Sequence, residues 1–167
     1  MRLLCVHPGI DSCYVMLARS NDKGIGYLWA FLSGIIEGSK MDGLFKIVHH
    51  ENIEGILGEF YIFTAEPYVY IGCKKDGLKA EERLSFKDDP NYYPFRTTKK
   101  GFIDLANQLI DLYDQQPSSY GYGIYIEETA NDVWQVREMD IDEVWEYKTI
   151  AEPKTGFLPN DWKSKLK

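Results

Sequence analysis

The sequence predicts an α+β fold with a mainly antiparallel, curved sheet of about seven to nine strands and two principal helices packed against it. Three observations predict it. Segments that read as strands outnumber those with the helical period. Two segments, residues 25–38 and 98–115, repeat apolar side chains at the helical period. Short turns separate several neighbouring strand-like segments, as in antiparallel hairpins.

The first third of the chain predicts a hairpin, a helix and a further strand. "RLLCVH" (2–7) and "CYVMLAR" (13–19) read as strands joined by the turn that begins at Pro8-Gly9. Residues 25–38 follow as a helix, although two internal glycines weaken it. The apolar face of this helix contains Ile25, Leu28, Trp29, Leu32, Ile35 and Ile36. "LFKIVHH" (44–50) reads as a strand.

The middle third predicts a meander and then the second helix. "EFYIFTA" (59–65) and "YVYIGCKK" (68–75) form a hairpin through Glu66-Pro67, and "KAEERLSF" (79–86) adds a strand. Residues 98–115 have the clearest helical pattern, with Thr97 or Thr98 as the N-cap. Its apolar face contains Phe102, Leu105, Ala106, Leu109, Ile110, Leu112 and Tyr113.

The last third predicts three successive strands with tight connections. They are "YGIYIEE" (122–128), "VWQVREM" (133–139) and "EVWEYKTI" (143–150). The remaining residues, 151–167, predict a C-terminal extension with a short terminal helix. We expect residues 1–167 to form a single α+β domain, because 167 residues are in the range of one hydrophobic core.

Charge and composition exclude several classes of function. The net charge of −7 disfavours a nucleic-acid-binding protein, which needs clustered lysine and arginine to neutralise phosphates. The apolar run in the first residues, "MRLLCVHPG", is shorter than a signal peptide requires. No segment is apolar over the length of a membrane span. We therefore expect a cytoplasmic protein. The chain has no phosphate-binding loop and no dinucleotide fingerprint, so we expect no cofactor.

Histidine and cysteine give weak indications of chemistry. Cys5, His7 and Cys13 lie close in sequence, but zinc needs four ligands at defined spacing and the chain has no second pair. The adjacent His49 and His50 would point to opposite faces of a strand. We therefore expect no metal site and no catalytic residue, with buried thiols and ordinary histidines as the simpler interpretation.

The most informative segment is residues 127–147, here called the acidic window. It contains eight acidic residues and one base, Arg137, and so carries the whole formal net charge of −7. A solvated sheet face is the simplest interpretation of such a run. The alternative is a surface of aromatic anchors and carboxylates that binds a basic partner. The candidate contacts are Glu127, Glu128, Asp132, Trp134, Glu138, Asp140, Asp142, Glu143, Trp145 and Glu146.

In overall character the chain resembles bacterial toxin-immunity proteins of the contact-dependent growth inhibition type. The stretches that carry the resemblance are "YYPFRTTKKGFIDLANQLIDLYDQ" (92–115) and "YGIYIEETANDVWQVREM" (122–139). The resemblance implies a cytoplasmic antitoxin that blocks a cognate toxin, often a nuclease. We therefore expect a non-enzymatic nuclease inhibitor that acts through protein–protein interaction and occludes a basic active site.

Two alternatives stay open at this point. One is a small enzyme of unknown reaction that uses His7, His49 or His50 with nearby carboxylates. A concave site with convergent titratable groups would favour it. The other is a structural or adaptor protein, for example from a phage.

Overall fold

The structure is a computed structural model that describes residues 4–8, 16–18, 24–37, 40–74, 77, 82, 84–85, 93–115 and 123–167. Contacts divide the chain into two compact units. The terminal unit combines Met1–Asn21 with Asp111–Lys167, and the central unit is Asp22–Ile110. The prediction of a single domain stays a prediction.

The central unit contains two helices and a four-stranded antiparallel sheet. The strands are β3 (Gly55–Leu57), β4 (Phe60–Ala65), β5 (Tyr68–Cys73) and β6 (Phe95–Thr98). They lie in the order β3-β4-β5-β6. Helix α1 (Ile25–Glu37) packs on strands β5 and β6 of this sheet, and helix α2 (Met41–Val48) contacts both α1 and strand β3.

Helix α3 (Lys99–Gln115) follows β6 directly. Thr98 Oγ1 accepts a hydrogen bond from the Gly101 amide at 3.1 Å, which satisfies one of the free amides at the start of the helix. Five of the predicted apolar positions are buried: Phe102, Leu105, Ala106, Leu109 and Ile110. The helices predicted at 25–38 and 98–115, and the threonine cap, are confirmed.

The terminal unit contains a five-stranded sheet of order β8-β7-β1-β2-β9. All neighbours pair antiparallel except β2 and β9, which pair parallel. The strands are β1 (Leu4–Pro8), β2 (Met16–Ala18), β7 (Gly123–Ala130), β8 (Val133–Met139) and β9 (Phe157–Leu158). The predicted hairpins β1–β2, β4–β5 and β7–β8 are confirmed, although the ends of the strand predicted at 13–19 lie outside the described residues.

Two helices complete the terminal unit. Helix α4 (Ile141–Ile150) follows β8 after a single residue, Asp140, and helix α5 (Trp162–Lys165) ends the chain. Both helices contribute to a buried cluster, which contains Tyr125, Met139, Val144, Tyr147, Leu158 and Trp162. The short terminal helix is as predicted.

Two predicted strands are wrong. Residues 44–50 belong mostly to α2, because Met41, Leu44 and Val48 are buried at helical spacing. Residues 143–150 belong to α4. There the side-chain carboxylate of Asp140 accepts a hydrogen bond from the Glu143 amide at 2.8 Å and so begins a helix.

The prediction of one curved sheet is not confirmed, because the described strands form two sheets. The short strands β3 and β6 were not predicted at all. Most of the strand predicted at 79–86 lies outside the described residues, and Leu84 and Ser85 lie in a turn. Among the described helices, none is long and apolar enough to cross a membrane.

Candidate functional site

The acidic window falls on two different elements of the terminal unit. The hairpin half, residues 127–139, lies on β7 and β8 and the turn between them. The helix half, residues 140–147, contains the cap and most of α4. Five of the ten predicted contact residues lie in each half.

Glu127, in the hairpin half, is 3% exposed. The hydroxyl of Tyr125 donates a hydrogen bond to its Oε2, and Lys163 Nζ lies 2.6 Å from its Oε1. The ammonium and the carboxylate therefore form an ion pair. A buried carboxylate is costly without such partners, so Tyr125 and Lys163 stabilise the position of Glu127.

Glu128, only 1% exposed, supports the turn of the hairpin. Its Oε1 accepts a hydrogen bond from the amide of Asp132 at 2.7 Å. Asp132 has a positive φ of 56°, a conformation that aspartate tolerates better than most residues. Trp134 is 4% exposed and Glu138 is half-buried. Glu127, Glu128 and Trp134 therefore stabilise the fold and offer little surface to a partner.

The helix half is more accessible. Asp140 and Asp142 are exposed, and Asp140 caps the helix. Glu143 is half-buried because Arg137 donates hydrogen bonds to both of its carboxylate oxygens. Those hydrogen bonds raise the pKa of the Arg137 guanidinium above its ordinary value. Glu146 is half-buried and accepts a hydrogen bond from the backbone amide of Lys167.

The exposed side of α4 also carries apolar groups. Trp145 is 58% exposed and Ile141, one turn earlier, is 44% exposed. The ammonium of Lys148 lies 4.7 Å from the centroid of the Trp145 ring, in the range of a cation–π contact. An exposed tryptophan beside exposed carboxylates is the combination that the sequence predicted for a binding surface.

The same helix forms one wall of an open groove of about 660 Å³. All of its described lining residues belong to the terminal unit. Its lining contains charged groups of both signs around an aromatic floor. The lining residues are Tyr125, Arg137, Asp140, Asp142, Glu143, Glu146, Tyr147, Trp162, Lys163, Leu166 and Lys167.

Three aromatic side chains form the floor of this groove. The Tyr147 ring centroid lies 6.2 Å from that of Tyr125 and 5.7 Å from that of Trp162. Burial, assisted by the carboxylate of Glu143, raises the pKa of Tyr147 to about 12. Burial and the hydrogen bond to Glu127 raise the pKa of Tyr125 as well. Both phenols therefore stay protonated at neutral pH.

Two cations of the groove already have carboxylate partners and aromatic neighbours. Arg137 pairs with Glu143 and lies 4.3 Å from the Tyr125 ring centroid. Lys163 pairs with Glu127 and lies 5.2 Å from the Trp162 ring centroid. In the groove, Arg137 and Lys163 thus each contact both a carboxylate and an aromatic ring.

Seven residues of the groove were not predicted from the sequence. They are Tyr125, Arg137, Tyr147, Trp162, Lys163, Leu166 and Lys167. The strand interpretation of 143–150 placed Trp145 and Tyr147 on one face. In a helix, residues two positions apart point to nearly opposite sides, so Trp145 is exposed and Tyr147 is 2% exposed. The spacing of Asp140 and Glu143 resembles a capping box and could have identified the helix.

Two of the three histidines make local hydrogen bonds within the central unit. His49 Nδ1 donates a hydrogen bond to the Phe45 carbonyl, and His50 Nδ1 accepts one from the Asn52 amide, so both serve the end of α2. Of His7, the structure describes only the backbone in β1, and Cys13 lies outside the described residues. Within the described part of the chain, no group of three or more His, Cys, Asp or Glu residues is placed to hold a metal ion.

Comparison with known proteins gives no assignment. No protein-family model, no curated protein sequence and no solved structure matches this chain. The function therefore has to be argued from the chemistry of the groove and of the exposed side of α4.

Proposed function

We propose that the protein is a non-enzymatic inhibitor that binds a basic protein toxin, a nuclease, through the helix half of the acidic window. It would act in the bacterial cytoplasm as an immunity protein of the contact-dependent growth inhibition type. The observation that carries the proposal is the side chain of Trp145. It is 58% exposed on a helix whose Asp142 is also exposed.

An exposed tryptophan is a strong candidate for an anchor of a protein interface. Tryptophan is enriched among the few residues that contribute most of the binding free energy, because burying its large ring on association is favourable. Ile141 lies one turn from Trp145 and extends the apolar ridge. Exposure of these two apolar side chains to water does not stabilise an isolated chain, and this supports a role for them in binding.

The carboxylates near this ridge determine the sign of the partner. Asp140, Asp142 and Glu146 form no ion pair within residues 123–167, all of which the structure describes. Their field attracts a positively charged protein and increases its rate of association. A nuclease has such a surface in its substrate cleft, and a bound acidic helix would exclude nucleic acid from it.

The groove supports an enzyme as a second candidate, because catalysis needs a concave site with titratable groups. Three features favour binding over catalysis. Arg137 and Lys163 are already paired with carboxylates. The raised pKa values of Tyr125 and Tyr147 make both phenols poor bases at neutral pH. His49 and His50 make local hydrogen bonds in the other unit.

The test is capture of a partner by the tagged protein from cells that express its genomic neighbours, followed by washes in rising salt. The informative variant is Asp140→Asn/Asp142→Asn/Trp145→Ala. Asparagine at position 140 removes the charge and keeps a good N-cap, so α4 should be retained. We leave Glu143 unchanged because its loss would free Arg137.

A matched control removes the same number of charges and one exposed ring from the central unit. The variant Glu51→Gln/Glu54→Gln/Phe45→Ala does so, since all three side chains are exposed. The proposal predicts capture of a basic partner whose nuclease activity is inhibited in the complex. This association should weaken as the salt concentration rises. The control variant should retain the partner, and the variant Asp140→Asn/Asp142→Asn/Trp145→Ala should lose it. Equal retention by both variants, or a partner without nuclease activity, would contradict it.

A further inference from the structure

We propose that the groove of the terminal unit binds one arginine side chain of the basic partner, and that Lys163 occupies the inner end of this site in the unbound protein. The inference rests on the proposed function for the source of the arginine. The site itself consists of residues of the groove and of Glu127, which pairs with Lys163.

The first argument is charge complementarity at the mouth of the groove. Asp142 and Glu146 are one helical turn apart on α4, and both line the groove. Within the described part of the chain neither forms an ion pair, although Glu146 accepts a hydrogen bond from the Lys167 amide. Arg137 and Lys163 are neutralised by Glu143 and Glu127. Together with Asp140, three carboxylates of the lining then remain against one further cation, Lys167. The groove therefore has an excess of negative charge, which a cationic side chain would compensate.

At the inner end of the groove, the buried carboxylate of Glu127 already pairs with a cation. Its side chain is 4% exposed, and Tyr125 donates a hydrogen bond to one of its oxygens. The other oxygen, Oε1, forms an ion pair with Lys163 Nζ at 2.6 Å. Lys163 lines the groove and Glu127 does not, so the lysine side chain lies between the groove and the buried carboxylate.

Lys163 is suited to being displaced. Its side chain is 58% exposed, and it lies on α5, a helix of four residues. The buried Glu127 needs a cation beside it, but the ammonium of Lys163 is half in solvent and loses little hydration in this role. An incoming cation could take its place while the ammonium returned to water.

The groove favours arginine over lysine as the occupant. A guanidinium is planar, donates two parallel hydrogen bonds to one carboxylate and stacks on aromatic rings. The groove already contains this arrangement, since Arg137 bonds to both oxygens of Glu143 and lies over the Tyr125 ring. Tyr147 and Trp162 offer the same kind of surface beside Glu127, with Trp162 already carrying the Lys163 ammonium.

The test is a titration of the purified full-length protein with Nα-acetyl-L-arginine amide, monitored by NMR at the Trp162 indole and the Leu166 methyl groups. The neutral isostere Nα-acetyl-L-citrulline amide is the control ligand. We expect saturable shifts with a Kd in the millimolar range, as for a single side chain, and none with citrulline.

Lys163→Ala provides the decisive variant because the expected effect is a gain. Without the internal competitor, the arginine probe should bind about tenfold more tightly, since it no longer has to displace the Lys163 ammonium from Glu127. Lys165→Ala is the matched control. It removes a lysine from the same helix that pairs with Asp161 and does not line the groove, so affinity should not change.

Two further variants locate the bound guanidinium. Asp142→Asn/Glu146→Gln should weaken binding of the probe, and Lys163→Ala/Glu127→Gln should lose the gain of the single variant. No saturable shift, equal shifts with citrulline, or an unchanged affinity in Lys163→Ala would each overturn the inference. Loss of the toxin partner through α4 variants, without any arginine binding, would overturn this inference and leave the proposed function intact.

Discussion

Glu127 and Glu128 in the hairpin half are 3% and 1% exposed, whereas Asp140 and Asp142 in the helix half are exposed. Each half contains four acidic residues and one of the window's tryptophans. In the hairpin half, Glu127 and Glu128 are buried and accept hydrogen bonds from internal donors. In the helix half, Asp140 and Asp142 are exposed, and the other two carboxylates are half-buried at the groove. Secondary structure thus divides a run of like charges into a part that stabilises the hairpin and a part that stays accessible at the surface.

The two tryptophans provide the largest test of this comparison. Trp134→Ala removes a side chain that is 4% exposed and should lower the free energy of unfolding by about 3–5 kcal/mol. Trp145→Ala removes one that is 58% exposed and should change it by no more than about 0.5 kcal/mol. Urea denaturation of both variants measures the difference. Similar losses of unfolding free energy in the two variants would contradict the distinction between a buried Trp134 and an exposed Trp145.

The carboxylates provide the next largest effect. Glu127→Ala leaves the buried hydroxyl of Tyr125 without its acceptor and should cost about 2–3 kcal/mol of stability. Asp142→Ala removes an exposed carboxylate from the first turn and should cost less than about 1 kcal/mol. Thermal denaturation at neutral pH compares them. A neutral effect of Glu127→Ala would mean that its buried contacts contribute no net stability.

Alkaline pH tests the burial of the groove floor. The folded protein raises the pKa of Tyr147 from 10.0 to about 12, so the folded state keeps the proton longer than the unfolded state. Stability from this group is full below pH 10 and is lost as the pH rises towards 12, on the order of 2 kcal/mol. Denaturation midpoints across this range should fall less steeply in Tyr147→Phe. An equal slope in both proteins would indicate a solvated phenol.

The cap of α4 provides the smallest of these effects. Asp140→Ala removes the acceptor of the Glu143 amide and should cost about 1 kcal/mol, whereas Asp140→Asn should cost only a few tenths. Circular dichroism during denaturation distinguishes the two variants. If Asp140→Ala and Asp140→Asn were destabilised equally, the charge of Asp140, and not its hydrogen bond, would stabilise the helix.

The sequence predicted the elements whose patterns are long or bounded by clear turns. Helix α3 has a continuous apolar face and a threonine cap, and the hairpin of β7 and β8 has a polar turn at Asn131-Asp132. Helix α4 was missed because "EVWEYKTI" alternates in a way that also fits a strand. The hydrogen bond from the Glu143 amide to the Asp140 carboxylate favours the helix. In the sequence, only the spacing of these two residues indicates this cap.

The candidate site was predictable only in part. The exposed residues Asp140, Asp142 and Trp145 could be chosen from charge and residue type. The groove could not be predicted from the sequence, because it depends on contacts between residues far apart in the chain. Examples are Tyr125 with Tyr147 and Glu127 with Lys163. Likewise, the division into two sheets depends on β1 pairing with β7, a choice that local patterns do not encode.

The most direct test of the central claim is carboxylate labelling of the free protein and of its complex with the captured partner, with mass spectrometry to locate the labels. The account predicts that Asp140 and Asp142 are labelled in the free protein and protected in the complex. Glu51 and Glu54, which are exposed in the central unit, should be labelled equally in both. Unchanged labelling of Asp140 and Asp142 in the complex would contradict the assignment of the helix half as the binding surface.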